Sequence, residues 1–118
     1  LIIFPEGTTN DGKKVLRFKT SLFKIFEDDT TLGLQNFSLC YTHINSMPLD
    51  NRMRPNIAWY GDMGLITHLK RILNYSSIGA KLQFHPVNIP DGIKRKILSE
   101  ESRDQVVEGI NSLSNNFK

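Results

Sequence analysis

The first fourteen residues, LIIFPEGTTNDGKK (residues 1–14), decide how the rest of the chain is read. Residues 1–4 are continuously apolar and stop at Pro5 and Gly7, the pattern of a short strand buried on both faces. Pro5, Glu6, Gly7, Thr8 and Thr9 then put a carboxylate, a pliable backbone and two hydroxyls at the carboxyl end of that strand, where open α/β folds keep their ligand sites. Asn10, Asp11 and Gly12 tolerate left-handed backbone and predict a tight reversal. Lys13, Lys14, Arg17 and Lys19 follow, so the corner suits an anionic ligand that bears hydroxyls. The plainer alternative is a strand end with a solvated, charged turn.

Downstream, strand and helix signals alternate, which predicts an α/β fold with a mixed sheet and flanking helices. Leu22, Phe23 and Phe26 give residues 20–28 a helical face, with Thr20 or Ser21 as the N-cap. Lys19 then stands just before a helix start, where free N–H groups and the positive dipole end attract phosphate. Gly33 resets the chain before a strand over 37–44, rich in aromatic and β-branched residues. Residues 45–55 read as a loop and 57–60 as a short strand. Over 63–73, Leu65, Ile66, Leu69, Ile72 and Leu73 fall on one helical stripe, with Lys70 and Arg71 on the other side and Asp62 as N-cap. Such a stripe packs on a sheet in most α/β proteins, with a membrane surface as the alternative. A strand follows over 81–87. A last helix opens at Ser99, Glu100 and Glu101 and buries Val106, Ile110 and Leu113.

The totals bound this picture. The chain has 118 residues, 39% of them hydrophobic, enough for one domain with a core. Fifteen Lys and Arg against 12 Asp and Glu give a net charge of +3, a mild bias toward anionic partners. The cations are scattered among acidic residues and few aromatics alternate with them, which argues against nucleic acid. The single cysteine, Cys40, has no disulfide partner or second thiol for a metal, and reads as small apolar filler in a strand of a protein from a reducing compartment. No stretch approaches the roughly 18 to 20 apolar residues that span a bilayer. Because the chain opens inside a predicted strand, residues 1–118 are expected to be the C-terminal part of a single domain whose N-terminal elements lie elsewhere.

Phe4, Pro5, Glu6, Gly7, Thr8 and Thr9, followed by Phe18 and Lys19, resemble the acceptor-binding block of the glycerolipid acyltransferases, the family of 1-acyl-glycerol-3-phosphate acyltransferase. LQNFSLCYT (residues 34–42) is similar to that family's next strand block. IAWYGDM (residues 57–63), with Leu69, is similar to a tryptophan–glycine stretch of a bacterial subgroup that includes lyso-ornithine lipid acyltransferases. The resemblance covers residues 1 to about 87.

It implies an acyltransferase of phospholipid biosynthesis. A fatty acyl group would pass from a thioester, on acyl-CoA or acyl carrier protein, to the free hydroxyl of a lysophospholipid or lyso-ornithine lipid. It also implies a peripheral protein at the membrane surface, on the cytoplasmic side of the inner membrane, with no cofactor, metal or nucleic acid. The substrate-binding residues it assigns are Glu6, Gly7, Thr8, Thr9, Arg17 and Lys19.

The chemistry needs a base for the hydroxyl proton and a held headgroup. In the family a histidine with an aspartate five positions later supplies the base. Here the fifth position after His43 is Pro48, after His68 Leu73 and after His85 Pro90, so no catalytic residue is assigned and the chain alone is expected to be inactive. Thr9 stands where many members have Arg, Thr20 and Ser21 replace a glycine-containing step, and Asn36 stands where proline is common. The rival reading is a non-catalytic remnant that binds anionic lipid or a partner.

Overall fold

The computed structural model describes residues 1–50 and 52–115. Asn51, in the loop expected over 45–55, and residues 116–118, at the end of the expected domain, lie outside the described residues. In chain order the elements are α1 (Ile25–Asp28), β1 (Leu34–Ile44), β2 (Met47–Pro48), α2 (Leu65–Leu73), β3 (Ile78–Asn88) and α3 (Arg95–Asn115), with 3-10 turns at Thr20–Phe23 and Arg54–Asn56.

The stretch at 37–44, rich in aromatic and β-branched residues, does form the central strand, which begins earlier, at Leu34. β1 is flanked by β2 and β3 in the order β2-β1-β3, and both pairings are antiparallel. The sheet is therefore antiparallel, not mixed. Its topology follows from the connections: Asn45 and Ser46, at φ 50° and 65°, fold β1 straight back into β2 as a two-residue hairpin. β3 returns after α2 on the opposite edge. Its register sets Phe37 against Phe84, Leu39 against Leu82 and Tyr41 against Ala80. Pro86 is tolerated because β3 is an edge strand.

The strand expected at 1–4 pairs with no part of the sheet, although β2 occupies the second edge of β1 only at His43 and Ile44. Residues 1–4 are irregular, and Leu1, Ile2 and Phe4 are exposed. The strand expected at 57–60 is likewise absent. The chain there leaves a 3-10 turn without pairing, and Trp59 Nε1 donates to the carbonyl of Met63 at 2.8 Å.

One face of β1 is covered. Ser38, Cys40, Thr42 and Ile44 are buried and alternate with exposed Leu39 and Tyr41. α3 lies on the buried face, where Ser38 Oγ donates to the carbonyl of Val106 at 3.0 Å and Cys40 Sγ sits 3.6 Å from Ser114 Oγ. Cys40 is thus strand filler, as its sequence context suggested. Principal extents of 47 × 32 × 20 Å leave room for this one helix layer on one sheet layer. The outer sheet face carries Leu39, Tyr41, Leu82 and Phe84 in the open.

α3 starts at Arg95, ahead of the expected cap at Ser99, whose hydroxyl instead bonds back to the carbonyl of Lys96 at 2.8 Å. Its most buried residues are Leu98, Ser99, Ser102 and Gly109; Val106, Ile110 and Leu113 are only half-buried. Small residues on this side bring the helix close to the sheet. Beside it Phe23, Phe26 and Leu98 form the apolar core, ringed by Phe18, Leu32, Leu34 and Ile93. Phe23 lies 6.2 Å from the Phe18 ring and 6.4 Å from Phe26.

Two helix expectations change. The segment 20–28 is split at Lys24 into a 3-10 turn and α1, and its N-cap is Lys19, not Thr20 or Ser21, with no side-chain cap. The dipole expected beyond Lys19 shrinks accordingly to that of a single short turn. α2 begins at Leu65 with Gly64 as N-cap, so Asp62 does not cap it. Its apolar stripe faces outward instead of packing on the sheet, because the buried residue of α2 is His68, whose Nε2–H donates to the carbonyl of Ile57 at 3.0 Å. Among the described residues no helix is long and apolar enough to cross a membrane.

Candidate functional site

The polar corner of residues 5–19 is held by its own backbone and by α3. Gly7 takes φ +65°, a left-handed conformation, and its N–H reaches the carbonyl of Phe4 at 3.2 Å. The Lys19 N–H donates to the Pro5 carbonyl at 2.7 Å, which closes the corner onto the first 3-10 turn. The Lys19 stem then lies over Gly7, so a Cβ there would come within 3.1 Å of Lys19 Cγ. Gly12, at φ +73°, completes the expected reversal and donates its N–H to Asn10 Oδ1 at 2.6 Å. From α3, Arg103 donates through Nε to the carbonyl of Leu16 and through Nη2 to that of Val15, both at 3.0 Å.

Glu6 is half-buried, and Asn10 Nδ2 donates to its Oε2 at 2.7 Å. That bond fixes the carboxylate and leaves Oε1 for another donor. Below Glu6 and Thr8 lies an open cavity of about 710 Å³, within the range of small-molecule sites, whose walls come from the N-terminal segment, the first 3-10 turn, α1, β1 and α3. Phe18, Phe26, Leu34, Val106 and Ile110 are among its apolar linings. A groove with an apolar body and a carboxylate and hydroxyl at one margin fits an amphiphile: tail inside, polar group at the corner.

Of the six residues expected to bind substrate, Glu6 and Thr8 line this cavity. Gly7 shapes the corner without lining it, and Lys19 rests on Gly7 with its amine end exposed. Thr9 and Arg17 are exposed and do not line it. Sequence reasoning missed the apolar walls and the role of Asn10. Phe18, Phe23 and Phe26 were a signal, since they cluster just after the corner.

The three histidines have structural partners. His43 Nδ1 lies 2.9 Å from Thr42 Oγ1, and His68 is anchored to Ile57. His85 Nε2 lies 2.8 Å from Ser38 Oγ. Because the Ser38 hydroxyl gives its proton to the Val106 carbonyl, the imidazole is the donor in that pair. Ser38 is fully buried, so this serine–histidine contact is a tie between β1 and β3 under α3, not a nucleophile and base. Among the described residues, no group of three or more His, Cys, Asp or Glu is placed to hold a metal.

Over 113 residues, 90% of this chain, it is 34% identical to a lyso-ornithine lipid O-acyltransferase of Brucella abortus, covering 42% of that protein. It is 37% identical over 90 residues, 71% of this chain, to a lyso-ornithine lipid O-acyltransferase of Rhizobium meliloti, covering 31% of it. A third, from Rhodobacter capsulatus, is 34% identical over 119 residues, 97% of this chain and 41% of the relative. The chain therefore spans well under half the length of these curated relatives. No family model matches it, and no solved structure matches it. Over most of its length the chain is homologous to lyso-ornithine lipid O-acyltransferases and corresponds to part of them.

Proposed function

We propose that this chain is the acceptor-binding part of a lysolipid O-acyltransferase domain, the C-terminal portion of that domain. Its partners are an acyl thioester, on coenzyme A or acyl carrier protein, and a lysophospholipid or lyso-ornithine lipid drawn from the cytoplasmic face of a membrane. The observation that carries this reading is the apolar cavity of about 710 Å³ with Glu6 and Thr8 at its margin. The acyl chain of the lysolipid lies along Phe18, Phe26 and Leu34. Its polar part meets Glu6, which accepts hydrogen bonds from the acceptor's hydroxyl or amide groups. Arg17 and Lys19 supply positive charge outside the cavity for a phosphate or carboxylate headgroup, the longer-ranged part of recognition.

Holding the headgroup and tail together fixes where the free hydroxyl points, which is the positioning half of the chemistry. The proton-abstracting half needs a base at the hydroxyl, and none of the three histidines has an aspartate five positions later. The chain alone thus binds acceptor and does not turn over.

The test is a titration with a lysophospholipid below its micelle concentration, followed by isothermal calorimetry, with a thioester-release assay run alongside. Saturable binding is expected. It weakens about tenfold in Ile110→Phe, which fills the cavity, and in Glu6→Gln, which removes a charged acceptor group. Binding that both substitutions leave unchanged overturns the site. Turnover by the isolated chain that is abolished by a histidine substitution overturns the division of labour.

A further inference from the structure

Most of the apolar stripe of α2 is open, although Ile72, at its edge toward His68, is half-buried. Leu65, Ile66, Leu69 and Leu73 are 56%, 71%, 51% and 73% exposed, whereas His68 on the neighbouring flank is 8% exposed and pinned to the Ile57 carbonyl. At about 100° per residue, the four apolar side chains fall within an arc of about 100°, and Lys70 borders it about 40° beyond Ile66. Trp59, half-exposed, is fixed just before the helix by its bond to the Met63 carbonyl.

We propose that α2 lies in the interfacial plane of an anionic bilayer, with this stripe among the acyl chains and Trp59 at headgroup depth. Charge selects lipid as the occupant. The helix, LITHLKRIL, carries Lys70 and Arg71 and no acidic residue, on a chain of net charge +3. A lysine on the border of an apolar arc keeps its stem in the apolar layer while the amine reaches phosphates. Tryptophan favours the same boundary, since its ring is apolar and its N–H polar. A short helix whose strongest apolar side points away from its own domain, and whose rim is cationic, gains stability from a surface that is apolar in depth and anionic at its rim. The inference rests on the lysolipid reading, because such an acceptor is taken from a bilayer. It concerns a different part of the chain, however, and is measured without any acceptor.

The chain contains one tryptophan, so Trp59 reports this patch directly. The intact chain is mixed with phosphatidylglycerol vesicles, with phosphatidylcholine vesicles, and with vesicles whose acyl chains are brominated close to the headgroup, all free of lysolipid. Expected are a blue shift, quenching by the shallow bromines and tighter partitioning to phosphatidylglycerol. Leu69→Glu lowers partitioning roughly tenfold or more, and Lys70→Glu removes most of the preference for the anionic lipid. Ile110→Phe leaves vesicle binding unchanged, so loss of acceptor binding and loss of membrane contact are told apart. Circular dichroism confirms that each variant is folded. The proposal is overturned if Leu69→Glu partitions like the parent, or if the chain sediments with vesicles while Trp59 is not quenched. It is also overturned if the free chain is a dimer that Leu69→Glu dissociates and no quenching occurs, because a second copy would then cover the stripe.

Discussion

Replacing Gly109 by alanine tests how closely α3 sits on the sheet. A Cβ at this position would stand 2.7 Å from both Cε1 and Nε2 of His85, and nearer still to Ser38 Oγ. Neither neighbour yields freely. Ser38 is fully buried and its hydroxyl serves two bonds, one with His85 at 2.8 Å and one to the Val106 carbonyl at 3.0 Å. Forcing a methyl group into such a site costs about 1–3 kcal/mol in displaced packing. Breaking one of the Ser38 bonds adds about 1 kcal/mol. Against this, alanine is the better helix former by about 1 kcal/mol. The net is a loss of about 1–3 kcal/mol, and at about 4 °C per kcal/mol the melting temperature falls by about 4–12 °C. Urea titration followed by circular dichroism measures it, with Glu108→Ala on the exposed side of the same helix as the control. The urea midpoint should drop while the slope stays constant. Adding Ser38→Gly to Gly109→Ala should return part of the loss, since the nearest obstacle is gone. A Gly109→Ala chain as stable as the parent would refute the close crossing and the role given to the Ser38 and His85 contact.

Phe23→Ala removes a ring that stacks between Phe18 and Phe26 in the core, and should cost about 3–5 kcal/mol by the same titration. Gly7→Ala imposes a side chain on a left-handed backbone at about 1–2 kcal/mol and pushes against the Lys19 stem; calorimetry should show lysolipid affinity falling together with the melting temperature. The Asp29 carboxyl is held below its ordinary range, first by the Thr31 hydroxyl and then by the Thr31 N–H. A depressed folded-state value means that the stabilisation is complete above the unfolded carboxylate pKa and disappears as the pH falls through the folded one. Thr31→Val should raise the Asp29 value toward normal and flatten that part of the acid limb, as read by NMR titration of the carboxyl carbon.

β1 was legible because enrichment in aromatic and β-branched residues is a local property; its facing was not, since Ser38 and Thr42 go in while Leu39 and Tyr41 go out, the reverse of the usual apolar-in order. Residues 1–4 looked equally strand-like, yet a strand needs a partner to pair with, and a run of apolar residues does not say whether one lies beside it. The same kind of limit explains α2. A helical period reveals that a stripe exists and says nothing about what it faces, and here one buried histidine turned the stripe outward. Ser99 with two glutamates imitated a helix start, although the helix had begun at Arg95. At the candidate site, Glu6 and Thr8 could be picked out because polar residues at a corner stand out. The cavity walls could not, since they are brought together from segments far apart in the chain, each carrying ordinary core residues.

The grip of Arg103 on the carbonyls of Val15 and Leu16 spans 88 and 87 positions of the polypeptide. On a ribosome the corner at 5–19 is made long before the side chain that fixes it. Until α3 has emerged and docked, the nascent segment lacks that fastening, with its apolar side chains open to chaperones. A truncation within α3 that removes Arg103 and spares every residue of the corner would for the same reason leave it held by its own backbone bonds alone.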